Sequence, residues 1–198
     1  MAGPPLLVVL TGPSGAGKDS VLDELRRLPD RAYSFVITVT TRPRRPSERD
    51  GVDYHFVSKE QFQRLVGDGE MLEHAMVYGQ EKGVPKDGVR KLLQSGRDAI
   101  MRTDNQGARY IKGIAPGTVT IFVAPPSDAE LEKRLRTRGG DSEEQVAIRL
   151  ETARKEMAEA SEFDYTVVND DLVEAAAEIE RIIAEERVRP GRKPIEFT

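Results

Sequence analysis

Cysteine and tryptophan are absent from this 198-residue chain, and histidine occurs only as His55 and His74. Without cysteine there are no disulfides and no thiolate metal sites, and two histidines are too few for a structural zinc site. Any metal is therefore expected to be a hard cation held by oxygen. No apolar run reaches the roughly 18 residues needed to span a membrane, and Met1-Ala2-Gly3-Pro4-Pro5 has neither a basic leader region nor a cleavage pattern. The expected location is cytoplasmic, with no membrane partner. The formal net charge is −4, and charged residues of both signs, 32% of the chain, are interspersed. That mixture lacks the basic footprint of a nucleic-acid binder. The length suits one sizeable core with inserted segments.

Against these absences stands Gly12-Pro13-Ser14-Gly15-Ala16-Gly17-Lys18, a phosphate-binding loop of the form G-x-x-x-x-G-K, entered from the apolar run Leu6-Leu7-Val8-Val9-Leu10. Its glycines let successive backbone N–H groups curl around phosphate oxygens, the next helix offers the positive end of its dipole, and Lys18 reaches the terminal phosphates. A bare glycine turn would explain the glycines but not the lysine set between a strand and a helix. Val21, Leu22, Leu25 and Leu28 give 19–28 its helical spacing, and Pro29 stops it. The chain is expected to bind a nucleoside triphosphate. The usual Ser or Thr after the lysine is Asp19, followed by Ser20; a carboxylate there stands close to phosphate charge, yet is able to meet Mg²⁺ directly or through water.

Apolar runs at 6–10, 33–40, 98–103, 118–123 and 165–168 alternate with helical spacing at 19–28, 85–95, 106–112, 127–137, 142–160 and 171–187. The alternation predicts an α/β fold, a parallel sheet flanked by helices. The polar, Pro- and Gly-rich stretch 41–84 reads as an inserted substrate-binding lobe, within which Ser58 and Gln61 predict a capping box and a helix through Leu65 and Val66. Residues 132–156 carry Arg134, Arg136, Arg138, Arg149 and Arg154 around the breaker Arg138-Gly139-Gly140-Asp141-Ser142. These arginines suit a mobile arm closing over phosphates, or a solvated face paired with the intervening glutamates. The tail 187–194 reads as an exposed, poorly ordered end.

Phosphoryl transfer between two phosphorylated molecules requires a second anion site and a divalent cation. Thr40-Thr41-Arg42-Pro43-Arg44-Arg45-Pro46 supplies arginine forks on a proline-restricted backbone, suited to an acceptor phosphate. Asp104 follows the strand-like run 99–103, at the carboxyl edge of a parallel sheet, and is the candidate for the metal or its water shell.

The chain resembles the guanylate kinase family over nearly its whole length. The matching segments are the loop 12–18, Thr40-Thr41-Arg42-Pro43-Arg44-Arg45, 50–58, Asp104-Asn105-Gln106-Gly107-Ala108, Ala124-Pro125-Pro126-Ser127, Arg138-Gly139 and Val168-Asn169-Asp170-Asp171. The resemblance implies a P-loop core (1–38, 87–126 and 158–198), an acceptor-binding lobe (39–86) and a helical lid (127–157). The implied reaction is ATP + GMP = ADP + GDP with Mg²⁺, by a monomer or small homo-oligomer. By position, it implies that Arg42, Arg45 and Tyr54 hold the acceptor phosphate, with Thr38 at a place often given to a small hydroxyl residue. Glu73 would accept hydrogen bonds from guanine N1–H and the N2 amino group. Arg138 and Arg149 would bind donor phosphates and the transition state from the lid, and Asn169 lies in the stretch that usually lines the adenine pocket.

The departures cluster on the acceptor side. The family's Gly-x-Tyr-Tyr-Gly-Ser/Thr is Gly79-Gln80-Glu81-Lys82-Gly83-Val84 here. Lys82 is able to replace the lost phosphate contact; Val84 cannot replace a hydrogen bond. The acidic residue usual two places before Asp104 is Arg102, suited to another acceptor anion, or to pairing with Asp19 or Glu73. A related kinase acting on another phosphorylated acceptor, such as ribose 1,5-bisphosphate, is therefore the alternative. A non-catalytic guanylate kinase-like module fits less well, since Lys18, Asp104, Arg138 and Arg149 are all retained.

Overall fold

A computed structural model describes residues 3–29, 31–46, 48–77, 79–137 and 142–197. The strands β1 (Leu7–Thr11), β2 (Tyr33–Phe35), β7 (Asp98–Arg102), β8 (Val119–Ala124) and β9 (Tyr165–Val168) form one parallel sheet in the order β2-β7-β1-β8-β9. Every residue of β1 and β8 is buried. Side chains alternating across central strands must then be apolar on both sides, which gives the continuous Val/Leu/Ile runs of the sequence. Leu6, Val8 and Leu10 pack with α1 (Lys18–Arg27) and α7 (Leu172–Val188) on one face. Leu7 and Val9 pack on the other with α3 (Lys86–Gln94) and α4 (Asn105–Ile114).

The run 33–40, expected as a single strand, is divided. After Val36 donates to the Ile100 carbonyl at 2.8 Å, the chain leaves the parallel sheet, and β3 (Val39–Thr40) belongs to a second sheet. This four-stranded sheet has the order β4-β3-β6-β5, with β4 (His55–Phe56), β5 (Met71–Val77) and β6 (Gln80–Pro85). The β5–β6 hairpin had no counterpart among the expected strands, because Glu73, His74, Glu81 and Lys82 obscure its alternation. The helix expected after Ser58 is α2 (Lys59–Gly67), with both reciprocal bonds of the capping box present.

Helices α5 (Asp128–Thr137) and α6 (Glu143–Ala158) pair through a small core of their own: Leu131, Leu135, Val146, Leu150 and Ala153. Ser142 and Gln145 cap α6 by the same reciprocal pattern. The reading of 187–194 as an exposed, poorly ordered end holds in part: 188–191, 193 and 194 are exposed, but the segment is anchored to the fold. Arg192 is half-buried against the Pro4 and Glu186 carbonyls, and beyond it Ile195 and Phe197 pack onto the second core cluster. Two apolar side chains past the last charged run bring the segment back onto the fold.

Candidate active site

β1 delivers the chain into the glycine loop, where Gly12 has φ 125° and passes so close to β8 that a Cβ would lie 2.2 Å from the Val123 carbonyl oxygen. Only glycine meets both conditions. Gly17, φ 87°, is equally restricted: a Cβ there would lie 2.4 Å from Asn169 Nδ2. Asn169 is buried, and its Nδ2 donates to the Ala16 carbonyl at 2.8 Å. Arg134 on α5 donates to the Asn169 carbonyl at 3.0 Å. Asn169 thus buttresses the loop from below, and it does not line the cleft above.

Lys18 opens α1 and turns back over the loop, its Nζ donating to the carbonyls of Gly12 (2.5 Å) and Pro13 (2.9 Å). Desolvation lowers its pKa to about 8, with Arg102 acting in the same direction and Glu156 opposing. From α6, Arg149 donates to Ser14 Oγ at 2.8 Å, so the helix pair already touches the loop. Glu156, on the same helix, was not anticipated as a site residue. Burial raises its pKa, Lys18 opposes that shift, and its Oε2 is buried without a hydrogen bond. Its place, past the last lid arginine, carries no local motif. Arg138, Gly139, Gly140 and Asp141 lie outside the described residues, and with them the expected glycine hinge.

Above the loop lies a cleft of about 930 Å³ that brings together Gly12, Ser14, Gly15, Gly17, Lys18, Asp19, Ser20 and Arg149 with Thr38, Tyr54, Glu73, Lys82, Arg102 and Asp104. Residues from both sheets and from the α5–α6 pair thus share one space. Pro13 and Ala16 are buried in the loop. Arg42 and Arg45 are not among the lining residues. Arg42 is held by a bidentate pair with Glu48, its Nη1 lying 2.7 Å from Oε2, and its guanidinium stacks 4.9 Å from the centroid of Tyr54. The hydrogen bond from Arg42 holds the Glu48 carboxyl down at about 2. Arg45 is exposed and donates its backbone amide to the same carboxylate at 2.9 Å. Glu48, which the motif reading passed over, therefore occupies the Arg42 fork expected to meet a phosphate.

Lys82 and Arg102 do line the cleft. Parallel pairing of β1 with β7 sets Leu10 opposite Arg102, at the entry to the loop. Arg102 Nε lies 2.8 Å from Asp19 Oδ1, and Nη2 donates to Tyr54 Oη at 3.0 Å. Of the two internal partners open to Arg102, the structure selects Asp19. Lys82 is half-buried, and its pKa is lowered by desolvation and by the neighbouring Arg102 and Arg42.

Glu73 stands on β5, with Val84 of β6 as its buried register partner. Burial, then the nearby Asp104 carboxylate, raise Glu73 to about 7, against a hydrogen bond from Thr103. Asp104 caps α4, its Oδ1 accepting from the Gly107 amide at 2.8 Å. Among the described residues no group of three or more acidic or histidine side chains is arranged to hold a metal. Magnesium fits such a sparse set, since it keeps several waters and takes one or two carboxylates plus substrate phosphates. Asp104 and Asp19 line the cleft, and each has a second carboxylate oxygen beyond the one engaged with Gly107 or Arg102.

A phosphate loop at the carboxyl end of a parallel sheet, facing a second sheet that carries Glu73 and Lys82, is the arrangement of the P-loop nucleoside monophosphate kinases. Comparison with known proteins narrows that class. A family model described as Guanylate kinase matches residues 5–186, and the chain belongs to the guanylate kinase family. It is 43% identical over 190 residues to the guanylate kinase of Alkalilimnicola ehrlichii, covering 96% of this chain and 93% of that protein. The guanylate kinase of Streptococcus agalactiae is likewise 43% identical, over 187 residues, covering 94% and 90%. The crystal structure of guanylate kinase from Anaplasma phagocytophilum superposes with a TM-score of 0.77 at 31% identity, covering 95% of this chain and 89% of that one. Among the described residues no helix is long and apolar enough to cross a membrane.

Proposed function

We propose that this chain transfers the γ-phosphoryl group of ATP to GMP, giving ADP and GDP, with magnesium as the metal. The observation that carries this reading is the sharing of one cleft by Lys18 and Glu73. One is a cation suited to the donor phosphates; the other is a carboxylate suited to the guanine edge, which offers two hydrogen-bond donors where adenine does not. In this reading 39–86 forms the acceptor lobe and 127–157 the lid.

The acceptor phosphate is already an ionised nucleophile near neutral pH, so no side chain need act as a strong base. Catalysis then rests on position and on charge placed where it develops. Lys18 exchanges its loop carbonyls for donor phosphate oxygens, and the backbone N–H groups of the loop, which Pro13 lacks, receive the remainder. Arg149, already at Ser14, is placed to meet the transferring group as α5 and α6 close. Arg42 exchanges Glu48 for the acceptor phosphate, and Tyr54, Thr38 and Arg45 complete that side. Asp104 and Asp19 would hold magnesium, which supplies charge neutralisation on the donor phosphates. Asn169 acts through the loop it supports.

A second reading, a phosphorylated sugar such as ribose 1,5-bisphosphate as acceptor, draws support from Lys82 and Arg102 lining the cleft beside buried Val84. Phosphorus NMR of the purified protein with ATP, magnesium and GMP tests the first reading. Stoichiometric appearance of GDP and ADP is expected; GMP left unchanged while ATP turns over only with a sugar bisphosphate would replace it with the second.

A further inference from the structure

Asp19 and Arg102, two residues that the sequence reading set apart from the family pattern, are in contact in the fold. Asp19 stands on the first turn of α1, immediately after the phosphate loop, and Arg102 ends β7. Their side chains meet at 2.8 Å, Nε to Oδ1. Because Nε is the inner nitrogen of the guanidinium, this bond directs the terminal nitrogens onward, and one of them reaches Tyr54 Oη at 3.0 Å. The phenol accepts that bond, so its own proton is free to be donated. The Tyr54 ring in turn carries the Arg42 guanidinium at 4.9 Å.

Two of the cations near that phenol have carboxylate partners. Glu48 pairs with Arg42, and Asp19 pairs with Arg102. Lys82 lines the same cleft and makes no hydrogen bond or ion pair among the described residues. Lys82 and Arg102 interact with each other electrostatically. Half-buried like charges brought this close favour an anion between them. Arg102, with roughly a third of its side chain exposed, retains guanidinium hydrogens that neither Asp19 nor Tyr54 uses. A planar fork with two fixed partners is already oriented for a phosphate oxygen, and loses little freedom on binding it.

We propose that Asp19 and Arg102 act as one unit, in which Asp19 is a positioning residue that aims Arg102 at the acceptor phosphate, alongside Tyr54 and Lys82. A residue on the first turn after the phosphate loop thereby serves the acceptor. The inference rests on the assignment of this side of the cleft to the acceptor phosphate, and it is independent of the base attached.

The test is a double-mutant cycle read by calorimetry, with the donor site of every variant held saturated by a non-hydrolysable ATP analogue and magnesium, at a concentration set from the analogue affinity measured for that variant. GMP and the base-free ribose 5-phosphate are titrated into the parent protein, D19A, R102A, R102K and the D19A/R102A double variant. R102A is expected to weaken both ligands by roughly 10- to 100-fold, and D19A by less. The double variant should bind no more weakly than R102A, and R102K, which keeps the charge without the fork, should recover part of the loss. Analogue affinity should change by less than about threefold in R102A. Ribose 5-phosphate following this pattern while GMP fails to bind would sustain the unit and refute the guanine acceptor. Losses that add in the double variant, unchanged binding in R102A, or failure of both ligands to bind the parent protein would overturn the proposal.

Discussion

Lys18 is coordinated by two loop carbonyls rather than by any carboxylate, and burial holds its pKa near 8. It is poised for an incoming anion and contributes little to the fold. Replacing it with Met is expected to lower kcat by at least about 100-fold, with a melting temperature equal to or above that of the parent; a matched loss of both would assign it a structural role. Glu73 yields a pH prediction. Its carboxylate must be ionised to accept from guanine, and its pKa lies near 7, so KM for GMP should rise as pH falls through 7, approaching about tenfold per unit in the acid limit. E73Q should lose that dependence and most GMP use. A raised carboxyl pKa means that the folded state holds this proton more tightly than the unfolded chain. The stability it contributes is complete below the ordinary value of 4.5 and is lost as pH rises through 7. E73Q should therefore melt higher than the parent at pH 8, by about 1–3 kcal/mol, a gap that closes towards pH 5. Lys18 was legible in the sequence because its role is written in adjacent residues. The grip of Glu48 on Arg42 was not legible, and the pairing of Arg102 was legible only as a choice between Asp19 and Glu73, since each contact depends on loops and strands meeting in space.

Elements whose signals are local emerged where periodicity and capping placed them: the strands of the parallel sheet, α2 behind Ser58, and α6 behind Ser142. The second sheet was harder to read. Its strands β3 and β4 are two residues long, and β5 and β6 carry charged side chains toward a cleft rather than a clean apolar alternation. Functional polarity there masks strand pattern. The anchoring of the tail was missed for the opposite reason, since two apolar residues are too few to show a period. The I195A/F197A variant should be destabilised by about 1–4 kcal/mol, read from denaturant midpoints, while KM for ATP stays unchanged. An unaltered midpoint would return the tail to an ornamental role. On α6, Arg149→Ala removes the contact with Ser14 and is expected to lower kcat by roughly 10- to 1000-fold with a smaller effect on KM for GMP. A change confined to GMP binding would move Arg149 to the acceptor side.

At the scale of the molecule, two sheets divide the labour. The parallel sheet presents the phosphate loop at its carboxyl edge, and the smaller sheet carries Glu73 and Lys82 to face it. Arg102, at the end of β7, is bonded to both Asp19 beside the loop and Tyr54 in the lobe. Family membership accounts for the frame; Lys82, Val84, Arg102 and Asp19, which the sequence reading set apart, all line the cleft, and all of them except buried Val84 carry charge. The central claim is that phosphate passes from loop-bound ATP to a guanine nucleotide read by Glu73. Its most direct measurement is the ratio of initial ADP-forming rates with GMP, AMP and ribose 1,5-bisphosphate at subsaturating, equal concentrations and pH 7.5, for the parent protein and E73Q. The account predicts at least about a 100-fold preference for GMP over AMP in the parent, little turnover of the sugar, and collapse of the GMP preference in E73Q. Comparable rates with GMP and AMP, or a higher rate with the sugar bisphosphate that E73Q leaves intact, would contradict it.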